Sequence, residues 1–158
     1  MKRVLVPVFL VLLAIIVTCG NNESSPQPKV FNLTMSPQNE TPPCADAGVN
    51  ASGTAKVTIP ADNQSVVVDV AYAGLSGPAV ASHIHFGTPA AAGPIVLPFA
   101  PPLDSPFTKT LTASDYGPGT GTPPDFASFV TALKAGGAAY VNVHTNACKG
   151  GEIRAEIQ

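Results

Sequence analysis

The chain has 158 residues, of which 11% are charged, with a formal net charge of −2, 14 glycines, 17 prolines and no tryptophan. That length holds one domain. The Gly- and Pro-rich composition favours turn-rich β structure over a helical bundle, and the absence of any basic excess excludes nucleic acid as a partner.

Met1-Lys2-Arg3 supplies a short positive start, and residues 4–17 are apolar apart from Pro7. A run of roughly 14 residues is short of the about 20 that a membrane span needs and fits the apolar region of a secretory signal. It ends at Thr18-Cys19-Gly20, which resembles a bacterial lipobox, although Thr18 departs from the small residue usual before the cysteine. On this reading 1–18 is the signal peptide, 19–29 is a lipidated N-terminus and flexible tether, and 30–158 is the folded domain. The expected location is the cell envelope, with the domain facing the periplasm or exterior and the membrane engaged through two acyl chains on Cys19, enough for stable anchoring. The alternative is an ordinary signal peptide cut beyond Cys19. The sequence names no protein partner.

Past the tether the pattern is strand, turn, strand. Residues 30–36 alternate apolar and polar, and 37–50 form a loop carrying Cys44. Residues 53–60 place Ala55, Val57 and Ile59 on one face; 64–73 do the same with Val66, Val68, Val70 and Tyr72. Two such runs across the Asp62-Asn63 turn predict a hairpin. Strands follow at 79–86, 94–99 and 107–111. Phe126, Phe129, Val130 and Leu133 have helical spacing, and Gly136-Gly137 ends that helix. Strands at 138–145 and 152–157 close the chain, the last with Ile153, Ala155 and Ile157 inward and Glu152, Arg154 and Glu156 outward; Asp69 and Glu152 are expected to face solvent. The fold class is all-β: a Greek-key-like β-sandwich or barrel of about eight strands with one short helix.

The chain has three histidines, His83, His85 and His144. Residues i and i+2 of a strand share a face, so His83 and His85 project together, and His144 projects with Tyr140 and Asn142. If the two strands are neighbours, three imidazoles converge. Such a set suits copper, and zinc less well, with Asn142 able to orient a ligand by bonding its free ring nitrogen. Neutral imidazole is required, so protons should compete near roughly pH 6. The bland alternative is three hydrogen-bonded structural histidines. No nucleophile elbow, phosphate loop or dinucleotide fingerprint occurs, and no catalytic residue is assigned. Cys44 and Cys148 form an even pair in an exported domain and read as a disulfide, or else as two free thiols.

These same residues resemble the chordin-type (CHRD) domain family. The likeness rests on Glu40-Thr41-Pro42-Pro43, Gly74-Leu75-Ser76-Gly77, His83-Ile84-His85-Phe86-Gly87, Gly93-Pro94, Leu111-Thr112-Ala113, Tyr140-Val141-Asn142-Val143-His144-Thr145 and Gly151-Glu152-Ile153-Arg154. It runs from about Phe31 to Gln158. The resemblance implies a β-rich extracellular module and no reaction. Cys44 and Cys148 both depart from the family pattern, which favours a bond between them. The His83–His85 strand is also similar to the copper-binding strand of copper/zinc superoxide dismutases, yet three histidines cannot build a four-histidine copper site, and equating Arg154 with a catalytic arginine is analogy at the level of the fold. Three functions stand: a non-enzymatic binding module holding copper, a dismutase-like copper enzyme, and a metal-free structural or adhesive module.

The anchor reading is checked by Cys19→Ser, which should abolish acylation and release the protein from the membrane fraction. Recovery of the unsubstituted protein wholly soluble and without acyl mass contradicts it.

Overall fold

A computed structural model describes residues 26–158; the apolar run, the expected cleavage point and Cys19 lie outside the described residues. The strands are β1 (Lys29–Met35), β2 (Ser52–Ile59), β3 (Val66–Ala73), β4 (Ala79–Phe86), β5 (Ile95–Pro98), β6 (Phe107–Leu111), β7 (Ala139–Thr145) and β8 (Ile153–Ile157), with one helix, α1 (Phe126–Lys134). They form two four-stranded sheets, ordered β1-β2-β3-β6 and β5-β4-β7-β8, with antiparallel pairing throughout. The architecture is therefore a sandwich rather than a closed barrel. No helix of the described residues is long and apolar enough to cross a membrane.

Alternation sets the core. Ala55, Val57 and Ile59 of β2 and Val66, Val68 and Val70 of β3 meet Ile84, Val141, Val143 and Ile153 of the other sheet. β3 starts two residues later than alternation predicted because the turn before it is longer: the Asp62 carboxylate accepts the Gln64 backbone N–H at 3.0 Å, and Asn63 sits at φ +58°. α1 buries Phe126, Phe129, Val130 and Leu133. Its N-terminus is capped by Asp125, whose carboxylate accepts the Ser128 N–H at 2.7 Å, and Gly136, at φ +81°, ends it.

The outward residues at the end of the chain require a correction. Asp69 does face solvent, opposite Lys56, but Glu152 and Arg154 are buried, at 0% and 1% exposure. Arg154 points away from the inter-sheet core, as the alternation requires, yet a second layer covers that face. After β1 the chain bridges to β8, with Ser36 N donating to Arg154 O at 3.0 Å and Arg154 N to Ser36 O at 3.1 Å. The Asn39 amide adds a bond to Arg154 O at 3.0 Å. Glu152 accepts from Gly48 N, Ser76 N, Ser76 Oγ and Thr145 Oγ1, tying three loops to the sheet. Burial alone would raise its carboxyl, but these hydrogen bonds outweigh it and hold the group below its ordinary value.

Cys44 and Cys148 are joined by a disulfide, with Cα atoms 5.7 Å apart across a sequence separation of 104. It fastens the β1–β2 loop to the β7–β8 turn. Closing so long a loop is worth roughly 4–5 kcal/mol in the chain-entropy model. The oxidised protein should be lighter than the reduced one by the mass of two hydrogens, and the double variant Cys44→Ala/Cys148→Ala should lose about 2–5 kcal/mol in denaturant unfolding. Two alkylatable thiols in the native protein contradict the bond.

Candidate metal centre

β7 lies between β4 and β8, and the register across these strands assembles the site. His83 pairs with Asn142 and Asn142 with Arg154; His85 pairs with Tyr140 and Tyr140 with Glu156. His144 stands opposite Ala81, beside a register shift between Ala79 and Ala81. Ser82, Ile84, Val141 and Val143 are buried on the opposite parity. All three imidazoles therefore project from one face, with His83 reaching His144 diagonally. Candidate ligand atoms from His83, His85 and His144 all lie within 4.8 Å of one another.

Hydrogen-bond accounting identifies the free nitrogens. His85 Nδ1 lies 2.8 Å from Gly93 O, and His144 Nδ1 lies 3.0 Å from Lys149 O. A carbonyl only accepts, so both Nδ1 atoms carry the proton and both Nε2 atoms present lone pairs. His85 Nε2 is buried and has no hydrogen-bond partner. His144 Nε2 faces His83 Nδ1 at 3.1 Å, which donates to it while His83 keeps its proton there. Two ligand nitrogens on a tetrahedral metal with bonds of about 2.0–2.1 Å stand roughly 3.3 Å apart, close to this spacing. The cluster as a whole is wider, so a bound metal would need the outlying ring to move inward by up to about 1.5 Å.

Asn142 meets His144 at Nε2, with its amide oxygen at 3.0 Å. Backbone carbonyls take Nδ1 in both His85 and His144. With Nδ1 protonated, the amide bonds Nε2 when its NH2 end is turned toward that nitrogen.

The rings are held neutral. Burial pushes the His83 pKa down to about 4, helped by His144 and His85. Burial also lowers His85 and His144, against the upward pull of their carbonyl hydrogen bonds. Proton competition is thereby displaced below the pH 6 expected from an ordinary imidazole.

Three residues beside the histidines were not assigned a role from sequence: Glu40, Tyr140 and Arg154. Each sits in a motif that carried the family likeness, so a signal existed without a chemistry attached to it. Arg154 donates from Nε to Glu156 at 2.6 Å and from a terminal nitrogen to Thr88 O at 2.9 Å. Glu40 is 5% exposed and its Oε1 has no hydrogen-bond partner. It packs where a side chain on Gly151 would otherwise go; Gly151 also holds φ +122°, so glycine is required there twice over. Burial raises the Glu40 carboxyl from 4.5 to about 7, although Arg154 and Asn142 pull it down.

A family model for the CHRD domain matches residues 31–157 and so spans every residue of this cluster. No curated protein and no solved structure matches the chain.

Because Glu40 titrates at 4.5 when unfolded and about 7 when folded, the folded chain retains its proton across that interval. The stability this supplies is complete below pH 4.5 and is lost as pH rises through about 7. Glu40→Gln carries no such penalty. Relative to the unsubstituted protein it should gain on going from about pH 5 to about pH 8, by on the order of 3 kcal/mol at most. Urea unfolding at both pH values measures this, and a pH-independent difference contradicts it.

Proposed function

The chain belongs to the CHRD-domain family, and from that membership and the histidine cluster we propose that it is an extracytoplasmic binding module, anchored through Cys19, that holds one copper ion on His83, His85 and His144. The observation that carries this reading is the buried, unpartnered Nε2 of His85. A histidine kept only for structure has its buried polar atoms satisfied. This one has its Nδ1 fixed by a carbonyl and its lone pair left for an acceptor that is not part of the chain.

Copper is favoured over zinc by the donor set. Neutral imidazole suits both ions, and the general affinity order places Cu(II) above Zn(II) at the same nitrogen ligands. Backbone carbonyls behind His85 and His144 fix the tautomer and raise the basicity of the ligating nitrogen. No fourth His, Cys, Asp or Glu joins the cluster among the described residues, so a position is left for water or a small ligand. His83 offers Nδ1 when its proton moves to Nε2.

Calorimetry on metal-free protein should give saturable one-to-one copper binding. His85→Ala should weaken it by more than about 100-fold, beyond the range that loss of a supporting residue causes. Since burial already favours neutral rings, proton competition should set in at a lower pH than the roughly 6 expected of an ordinary imidazole. Weak binding that is indifferent to His85→Ala overturns the site.

A further inference from the structure

We propose that Tyr140 is the positioning residue of this centre, holding His85 both by its ring face and by its hydroxyl; the inference rests on the copper reading above. The two rings are stacked almost parallel, with centroids 4.6 Å apart and planes inclined by 5°. The cross-strand pairing of His85 with Tyr140 places them side by side, and the stack removes the ring's freedom to tilt.

The hydroxyl closes a second grip. Gly93 N donates to Tyr140 Oη at 3.1 Å, and the carbonyl of the same residue accepts from His85 Nδ1 at 2.8 Å. Tyr140 therefore holds, by its N–H, the residue whose carbonyl oxygen selects the His85 tautomer. Glycine is needed at 93 for this: a Cβ there would run into the backbone of Phe86. The turn between β4 and β5 can then fold back until the residue 93 carbonyl meets the ring edge at Nδ1.

The other side of the phenol is fixed as well. Arg154 Cζ lies 3.3 Å from the Tyr140 ring centroid. His85 comes from β4 and Arg154 from β8, and β7 runs between those strands, so imidazole and guanidinium take opposite faces of the ring. Arg154 is itself held by Glu156 and Thr88. The phenol is thus clamped, and His85 inherits its orientation. A tyrosine kept only to fill space would need neither the Gly93 bond nor parallel stacking on a ligand.

The test uses Tyr140→Phe, Tyr140→Leu and, as a destabilised control away from the centre, Ile59→Val. Two readouts are taken on full-length protein: the tautomer of His85 by nitrogen NMR without metal, and copper affinity with the Cu(II) paramagnetic resonance spectrum. The unsubstituted protein should show His85 as a single Nδ1–H tautomer. Tyr140→Leu should give mixed tautomers, a changed spectrum and affinity lowered about 10- to 100-fold. Tyr140→Phe, which keeps the stack, should fall between, and Ile59→Val should match the unsubstituted protein in both readouts. A pure tautomer in Tyr140→Leu, or equal losses in the control, overturns the role of Tyr140. If the unsubstituted protein binds no copper, the copper reading falls, and the tautomer measurement alone decides for or against Tyr140.

Discussion

β7 is buried along its whole length on both faces, and the rest of the molecule is arranged to make that possible. Its odd-numbered residues 141 and 143 enter the apolar core between the sheets. Tyr140, Asn142 and His144 are equally inaccessible on the other side. A buried polar group without a partner costs about 1–3 kcal/mol, so a strand with three of them needs a covering layer that supplies hydrogen bonds. That layer comes from the β1–β2 loop, the β4–β5 turn and the β7–β8 turn. Gly93 and Lys149 serve the histidines, Thr88 serves Arg154, and Glu152 gathers Gly48, Ser76 and Thr145.

The disulfide belongs to the same arrangement. Cys148 is the neighbour of Lys149, whose carbonyl fixes His144, and Cys44 shares its loop with Glu40. Loops of this kind have little apolar surface with which to hold themselves down, since the stretch from 36 to 50 buries only Glu40. A covalent tie constrains them without requiring a larger core, and the Glu152 carboxylate adds a polar tie on the same loop through Gly48. Cover and centre are therefore mechanically one unit, held by bonds rather than by packing.

Much of this was legible in the sequence. Period-two alternation located the eight strands to within a residue or two, and helical spacing located α1 through its four buried side chains. The facing rule put His83 with His85 and His144 with Asn142, and the cluster seen here follows once β4 and β7 are neighbours. What alternation does not contain is what lies above a face. Glu152 read as solvent-facing, and Arg154 only as outward, because period two distinguishes one side of a sheet from the other, not water from a second polar interior. The Lys149 carbonyl at Nδ1 of His144 was not legible for a related reason: it comes from a turn whose path no strand pattern specifies. Tyr140 was seen only as a neighbour on the histidine face, because stacking depends on cross-strand register, which a single strand does not encode.

The two buried histidines differ in how their ring nitrogens are satisfied. His144 has a partner at each nitrogen: Lys149 O at Nδ1, and His83 with Asn142 at Nε2. By itself it fits a satisfied core histidine. His85 is equally well oriented, between the Gly93 carbonyl and the Tyr140 ring, yet its remaining nitrogen has no partner at hydrogen-bond geometry, although the Asn142 side chain lies near enough to bear on its titration. Orientation and satisfaction normally arise together, since the hydrogen bonds that satisfy a ring also fix it. Here the fold fixes His85 from behind and from the side while leaving its lone pair bare, in a layer where nearly every other buried polar atom is matched. A fold selected for stability alone would close that gap with a hydroxyl or amide donor, as Asn142 does one row away. Leaving it open is costly unless something from outside the chain occupies it, and the three imidazoles are close enough together that they could hold a metal ion there.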